Sequence, residues 1–149
     1  MADGIVLTHE GFKALKTLGE MEHKACSGAK KGFSFAGHFL IKKSKSGMKQ
    51  PKTGRFYIFK GKRIRASAPG EYPARRSRDL FRSLGFQIIS SEDMDFGSRL
   101  DAKYPRILEK GSEGGKITRR SYLERPVEEN KTKIANIIGK EIEKELKRK

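Results

Sequence analysis

Residues 84–97 read Leu84-Gly85-Phe86-Gln87-Ile88-Ile89-Ser90-Ser91-Glu92-Asp93-Met94-Asp95-Phe96-Gly97. Phe86 and Ile88 alternate with small or polar residues, and Met94 and Phe96 do the same beyond the polar break at Ser91-Glu92-Asp93. A period of two on both sides of a polar break predicts a β-hairpin over 84–90 and 94–97 with one apolar face. That face must be buried against another element, and the chain offers a helical pattern at each end.

Upstream, Thr8 can cap a helix, and Phe12, Leu15, Leu18, Met21 or Glu22, Ala25 and Ala29 recur at helical spacing. Phe33, Phe35, Ala36, Phe39 and Leu40 continue the pattern, but Gly28, Gly32 and Gly37 each weaken a helix by up to ~1 kcal/mol relative to Ala. A second or broken helix ending near Lys43 is therefore expected. Downstream, Pro126 fits an early helical position, and Val127, Ile134, Ile137, Ile138, Ile142 and Leu146 line one face among Glu and Lys. One amphipathic helix running to about Lys147 is expected there.

The middle of the chain is punctuated. Residues 42–54, KKSKSGMKQPKTG, have no period and the composition of a mobile basic loop. Residues 55–59 and 62–66 are rich in aromatic and β-branched side chains and flank Lys60-Gly61, which predicts a first hairpin whose exposed face is basic. Pro69 and Pro73 disfavour helix at the residues before them, so 67–73 must be extended or turning. One or two helical turns over 79–84, a short apolar-faced element over 104–108 closed by Gly111, and a Gly/Lys loop over 111–119 complete the reading.

The 149 residues suit one domain, and 35% hydrophobic residues without tryptophan limit the core to a modest one. No apolar run approaches the ~20 residues of a membrane span, and residues 1–8 lack a signal-peptide pattern, so a cytosolic site of synthesis is expected. Cys26 is the only cysteine, which excludes an intramolecular disulfide and reads as a half-buried helix residue. The net charge is +16, and its distribution is uneven: no acidic side chain lies between Glu22 and Glu71, a stretch holding 13 Lys and Arg. Such a stretch calls for an acidic partner or open solvent.

Catalytic constellations are thin. Gly114-Gly115-Lys116 lacks the earlier glycine and the following Ser/Thr of a phosphate-binding loop. His23, Cys26 and His38 lack a fourth ligand for a metal. Glu92, Asp93 and Asp95 are a carboxylate cluster of the kind a metal-dependent nuclease uses, yet they fall where a hairpin turn needs polar residues. The interleaving in Arg55-Phe56-Tyr57-Ile58-Phe59-Lys60 suits nucleic-acid stacking, although half of those aromatics must face the core. A basic nucleic-acid-binding module and a nuclease are thus two classes that these residues leave open.

Three segments carry a resemblance. The first is Arg65-Ala66-Ser67-Ala68-Pro69-Gly70-Glu71-Tyr72-Pro73-Ala74, followed by Leu80 and Ser83-Leu84-Gly85; the second is Tyr104-Pro105-Arg106-Ile107-Leu108-Glu109-Lys110-Gly111-Ser112; the third is Arg120-Ser121-Tyr122-Leu123-Glu124-Arg125-Pro126-Val127. In this order they resemble the tail-completion, or head-tail joining, family of long-tailed bacteriophages, related in role to the minor tail protein Z of phage lambda. Departures are Arg78 where the family usually has glycine, Ser121 for the first proline of the third segment, and one extra residue before Pro126. The resemblance covers about residues 65–130.

It implies a non-enzymatic structural protein without cofactor, placed in the virion at the neck or tail end. The implied partners are other neck or tail proteins: a head-completion protein, a tail terminator or the tail tube. A homo-oligomeric ring in the virion, a monomer when free, weak non-specific DNA contact at most, and no membrane contact complete the expectation. The fold expected for residues 1–149 is a single α+β domain: a small antiparallel sheet packed by an N-terminal and a C-terminal helix, with a mobile basic segment over about 42–71. Partner contacts are assigned to Lys42, Lys43, Lys45, Lys49, Lys52, Arg63 and Arg65 on the basic segment. Glu71, Tyr104, Glu109 and Tyr122 are assigned from the three motif segments.

Overall fold

A computed structural model describes residues 9–74, 78–99 and 103–148. Its element order is α1 (His9–Lys49), β1 (Phe56–Phe59), β2 (Lys62–Arg65), α2 (Asp79–Ser83), β3 (Leu84–Ile88), β4 (Met94–Ser98), α3 (Lys103–Lys110), α4 (Glu124–Glu129) and α5 (Lys131–Leu146). The class is mixed α+β, as expected, with two two-stranded antiparallel sheets, β1-β2 and β3-β4. Among the described residues no helix is long and apolar enough to cross a membrane.

The largest departure from expectation is α1, a single helix of 41 residues that runs through the glycines and on to Lys49. Residues 42–49, read above as loop, are its last two turns. The glycines do not break it because other elements pack against the helix where they stand. A Cβ built on Gly28 or Gly32 would lie 2.6 or 2.7 Å from the Cα of Ile142 or Ile138, and one on Gly37 or Gly47 would enter the ring of Phe86 or Tyr72. The helix propensity lost at each glycine is offset by close packing that any side chain would prevent. Ala29, Gly32, Ala36, Leu40, Ser44 and Met48 form one buried stripe at a spacing of three to four residues.

The upper part of that stripe meets α5, which runs antiparallel to α1: Gly28 faces Ile142, and Gly32 faces Ile138. Lys31 pairs with Glu145 at 2.6 Å, and the Lys24 ammonium donates to the Arg148 carbonyl at 2.8 Å. The expected C-terminal helix is divided at Asn130, whose backbone N–H turns back to the Val127 carbonyl and whose side chain donates to the Pro126 carbonyl at 2.8 Å. The terminal helix was expected against the sheet; α5 packs along α1 instead.

The lower part of the stripe enters the core. Met48, Tyr72, Leu84, Leu108 and Tyr122 are buried together, with Ile41, Leu80, Phe81 and Leu123 packed around them. Both hairpins form as read. In the first, Phe56 pairs with Arg65 and Ile58 with Arg63, and Lys60 (φ 50°) and Gly61 (φ 74°) make a turn of the type whose central residues both need positive φ. In the second, Phe86 pairs with Phe96, and the Ser90 hydroxyl accepts the amides of Glu92 and Asp93 at 3.0 Å each. Those carboxylates therefore sit on a serine-capped turn.

Candidate interaction site

The first motif segment folds into a turn in which Pro69 and Gly70 (φ 80°) hold the central positions and the Glu71 amide donates to the Ala68 carbonyl at 3.2 Å. The Glu71 carboxylate then closes the loop on itself: it accepts the Ala68 amide at 2.8 Å and the Thr53 hydroxyl at 2.6 Å. The hydrogen bond from Thr53, then that from Ala68, hold this carboxyl below the usual range. Lys52, beside it, is lowered by burial, which the charge of Glu71 opposes.

The second and third segments meet at Glu109. Its two oxygens accept the Ser121 hydroxyl at 2.6 Å and the amides of Tyr122, Leu123 and Glu124 at 2.8, 3.0 and 3.0 Å. Burial pushes this carboxyl upward, but the four donors together outweigh it and hold it below the ordinary value. They include the free amides at the start of α4, where no side chain of the cap residue itself serves. Gly111 (φ 87°) ends α3 with its amide on the Ile107 carbonyl at 2.8 Å, and the Arg120 amide returns to the Leu108 carbonyl at 2.7 Å.

Two arginines tie the third segment to the first. Arg120 donates to the Ser67 carbonyl at 3.1 Å, and Arg125 donates to the Gly70 carbonyl at 3.0 Å while its guanidinium stands 5.1 Å from the centre of the Tyr72 ring. Tyr122 fills the centre, and the Ser44 hydroxyl of α1 donates to its carbonyl at 2.8 Å. Burial raises the Tyr122 hydroxyl pKa far above its normal value. The three segments that carry the resemblance thus interlock in one unit.

This geometry revises several site assignments. Tyr122 is 0% exposed and offers no ring to a partner. Glu71 and Glu109 are engaged by donors of their own chain and act as internal clamps. Tyr104, 54% exposed, remains a surface residue beside a depression of about 240 Å³ that Leu108, Lys116, Ile117 and Arg120 help to line. Lys45 and Lys49 lie 5.0 and 5.5 Å from the centre of the Phe81 ring, and Lys43 lies 5.6 Å from that of Phe39, so these cations are partly held by the chain's own aromatics. Lys42 is exposed and Lys52 half-buried, its ammonium donating to the Gly47 carbonyl at 3.0 Å.

The first hairpin presents a surface that the residue list above only half captured. Arg63 and Arg65 stack on Phe56, their guanidinium carbons 4.2 and 4.9 Å from its ring centre. Phe56 and Ile58 are 53% and 78% exposed and share that face with the two arginines, while Tyr57, Phe59 and Ile64 turn to the other side. The alternation of 56–65 contained this division, but not which half would face outward. Arg120 and Arg125 were missed as ties because an arginine that donates to backbone carbonyls has no sequence signature.

The candidate metal ligands do not converge. Among the described residues no group of three or more His, Cys, Asp or Glu side chains is placed to hold an ion. His38 packs edge-on against Phe86 at 5.1 Å, and Cys26 is half-buried in α1. Comparison of the chain with protein families, with curated proteins and with solved structures finds no match.

Proposed function

We propose that the chain is a structural assembly protein of a long-tailed bacteriophage, acting in tail completion or head-tail joining. The observation that carries the reading is the interlocking of the three motif segments. Within them Glu71, Glu109, Arg120 and Arg125 hold backbone amides and carbonyls, which makes a rigid platform suited to contact. The exposed, positively charged hairpin beside it is the surface for an acidic neighbour in the neck or tail, such as a head-completion protein, a tail terminator or the tail tube. Assembly into a ring within the virion and a location at the neck or tail end belong to the same proposal.

Complementation of a phage lacking the gene tests it. Such a phage should fill heads with DNA but yield defective or unattached tails and few infectious particles. A chain with Glu92, Asp93 and Asp95 changed to Gln, Asn and Asn should restore infectivity, and Tyr104→Asp, an exposed change, should not. A dead but folded acidic triple variant together with an active Tyr104→Asp would overturn the reading in favour of a nuclease.

The stacking of Arg63 and Arg65 on Phe56 favours a second reading, a non-specific nucleic-acid-binding module. Tight DNA retention at physiological salt would promote it over the first.

A further inference from the structure

The N-terminal part of α1 carries an apolar stripe that the rest of the fold leaves open. Residues 13–23 are all exposed, including Leu15, Leu18 and Met21, with Leu18 60% open to solvent. A helical stretch of this length is marginal in water without tertiary contacts. Its apolar stripe has a definite charge. With Leu18 at the centre of the face, Leu15 and Met21 fall about 60° to either side, Glu22 about 40° and Glu10 about 80° away, at about 100° per residue. Lys13, Lys16 and Glu20 lie about 140° or more away, on the opposite side. The exposed face is therefore apolar with acidic charge alone.

The outward face of the first hairpin is its counterpart: Phe56 and Ile58 with Arg63 and Arg65, apolar with basic charge alone. The two match in size, since Leu15 to Met21 spans about 9 Å of helix and Phe56 to Ile58 about 7 Å of strand. They cannot meet within one chain. From Leu18 to Lys49 is about 46 Å of continuous helix, whereas a hairpin strand of five or so residues reaches only about 17 Å.

We propose that these two faces bind each other between copies of this chain, the acidic overhang of one docking on the basic hairpin of the next. The contact joins two unlike patches, so each docked pair still has one free overhang and one free hairpin, and association proceeds head to tail. The complementarity holds whether or not the chain serves in a virion. It deepens the proposed function by making the acidic neighbour of the hairpin another copy.

Sedimentation of the full chain over a range of concentration, at low and at high salt, tests this. The parent should gain mass with concentration at low salt and lose that gain at high salt. Leu18→Asp removes the overhang's apolar centre, and the double change Arg63→Glu with Arg65→Glu reverses the hairpin; each alone should weaken association at least tenfold. Circular dichroism and melting verify that both variants fold. Mixed together, they should form a 1:1 pair that grows no further, because one supplies the intact hairpin and the other the intact overhang. A parent that stays monomeric overturns the proposal. So does a hairpin variant that still associates, which would indicate overhang-to-overhang pairing, or a mixture that stays as separate monomers. Phage complementation remains an independent measure, so failure here is distinguishable from failure of the assembly reading.

Discussion

Gly32 lies so close to Ile138 that a methyl group added to it would stand 2.7 Å from the Ile138 Cα. Alanine is the better helix former by about 1 kcal/mol, yet here it must push two helices apart. Gly32→Ala should therefore lower stability by about 1–3 kcal/mol, the usual cost of overpacking. Gly19, in the same helix with nothing within 4 Å, is the control. Gly19→Ala should raise stability by about 0.5–1 kcal/mol. Urea unfolding of both variants measures the opposite signs.

Glu109 makes acid stability depend on one carboxylate. Its folded pKa lies below the unfolded value of about 4.5, so the stabilisation is present above that value and disappears as pH falls through the lower folded pKa. Glu109→Gln should lose about 1–3 kcal/mol at neutral pH, because charge-assisted bonds to three amides and a hydroxyl are weakened. The variant should also show a flatter decline in melting temperature below about pH 4.5 than the parent.

Among the described residues two side-chain-bearing ones occupy the left-handed region, Lys60 at φ 50° and Arg78 at φ 66°. Arg78 stands at the start of α2, at the position where the resembling family usually has glycine. An L-residue there costs roughly 1–2 kcal/mol, part of which glycine returns through its greater freedom when unfolded. Arg78→Gly should stabilise by about 0.5–1 kcal/mol in thermal or urea melts. Lys60→Asn should do so by less, since asparagine tolerates this conformation only somewhat better.

Hydrogen exchange distinguishes the observed helix end from a loop. The amides of Ser44, Gly47 and Met48 lie in α1 on buried residues and should be protected. Those of Lys60 and Gly61, at an exposed turn, should exchange fast.

DNA binding, where it occurs, should follow phosphate neutralisation: it should collapse between low and physiological salt and show no sequence preference. Replacing Arg63 and Arg65 by Ala should reduce the slope of log affinity against log salt by up to about 2.

The two hairpins were legible because strand alternation and turn residues are local signals. The continuity of α1 was not. Gly28, Gly32, Gly37 and Gly47 look like interruptions until Ile142, Ile138, Phe86 and Tyr72 arrive from distant parts of the chain to occupy the space they leave. Lys42, Lys43, Lys45 and Lys49 likewise suggested a loop, because the small residues Ser44 and Gly47 between them hide a buried stripe that depends on Tyr122 and Tyr72. The site was legible in part. Glu109 was singled out by its motif, though as a partner contact and not as the internal acceptor it is, and Tyr122 passed as a surface aromatic because nothing local shows that α1, α3 and β3 close around it. Leu15, Leu18 and Met21 were read as an ordinary apolar face, and only the structure shows them uncovered.

The unbroken α1 also behaves as a gauge. Each residue gained or lost between Leu18 and Lys49 changes the spacing of the two ends by about 1.5 Å and turns one against the other by about 100°. A single-residue deletion would leave the length almost unchanged yet aim the overhang about a quarter of a turn away, whereas a loss of seven would shorten the rod by about 10 Å and nearly preserve its aim. Chains descended from this one can therefore vary the distance freely only in steps close to whole turns, so the helix fixes a phase as well as a length.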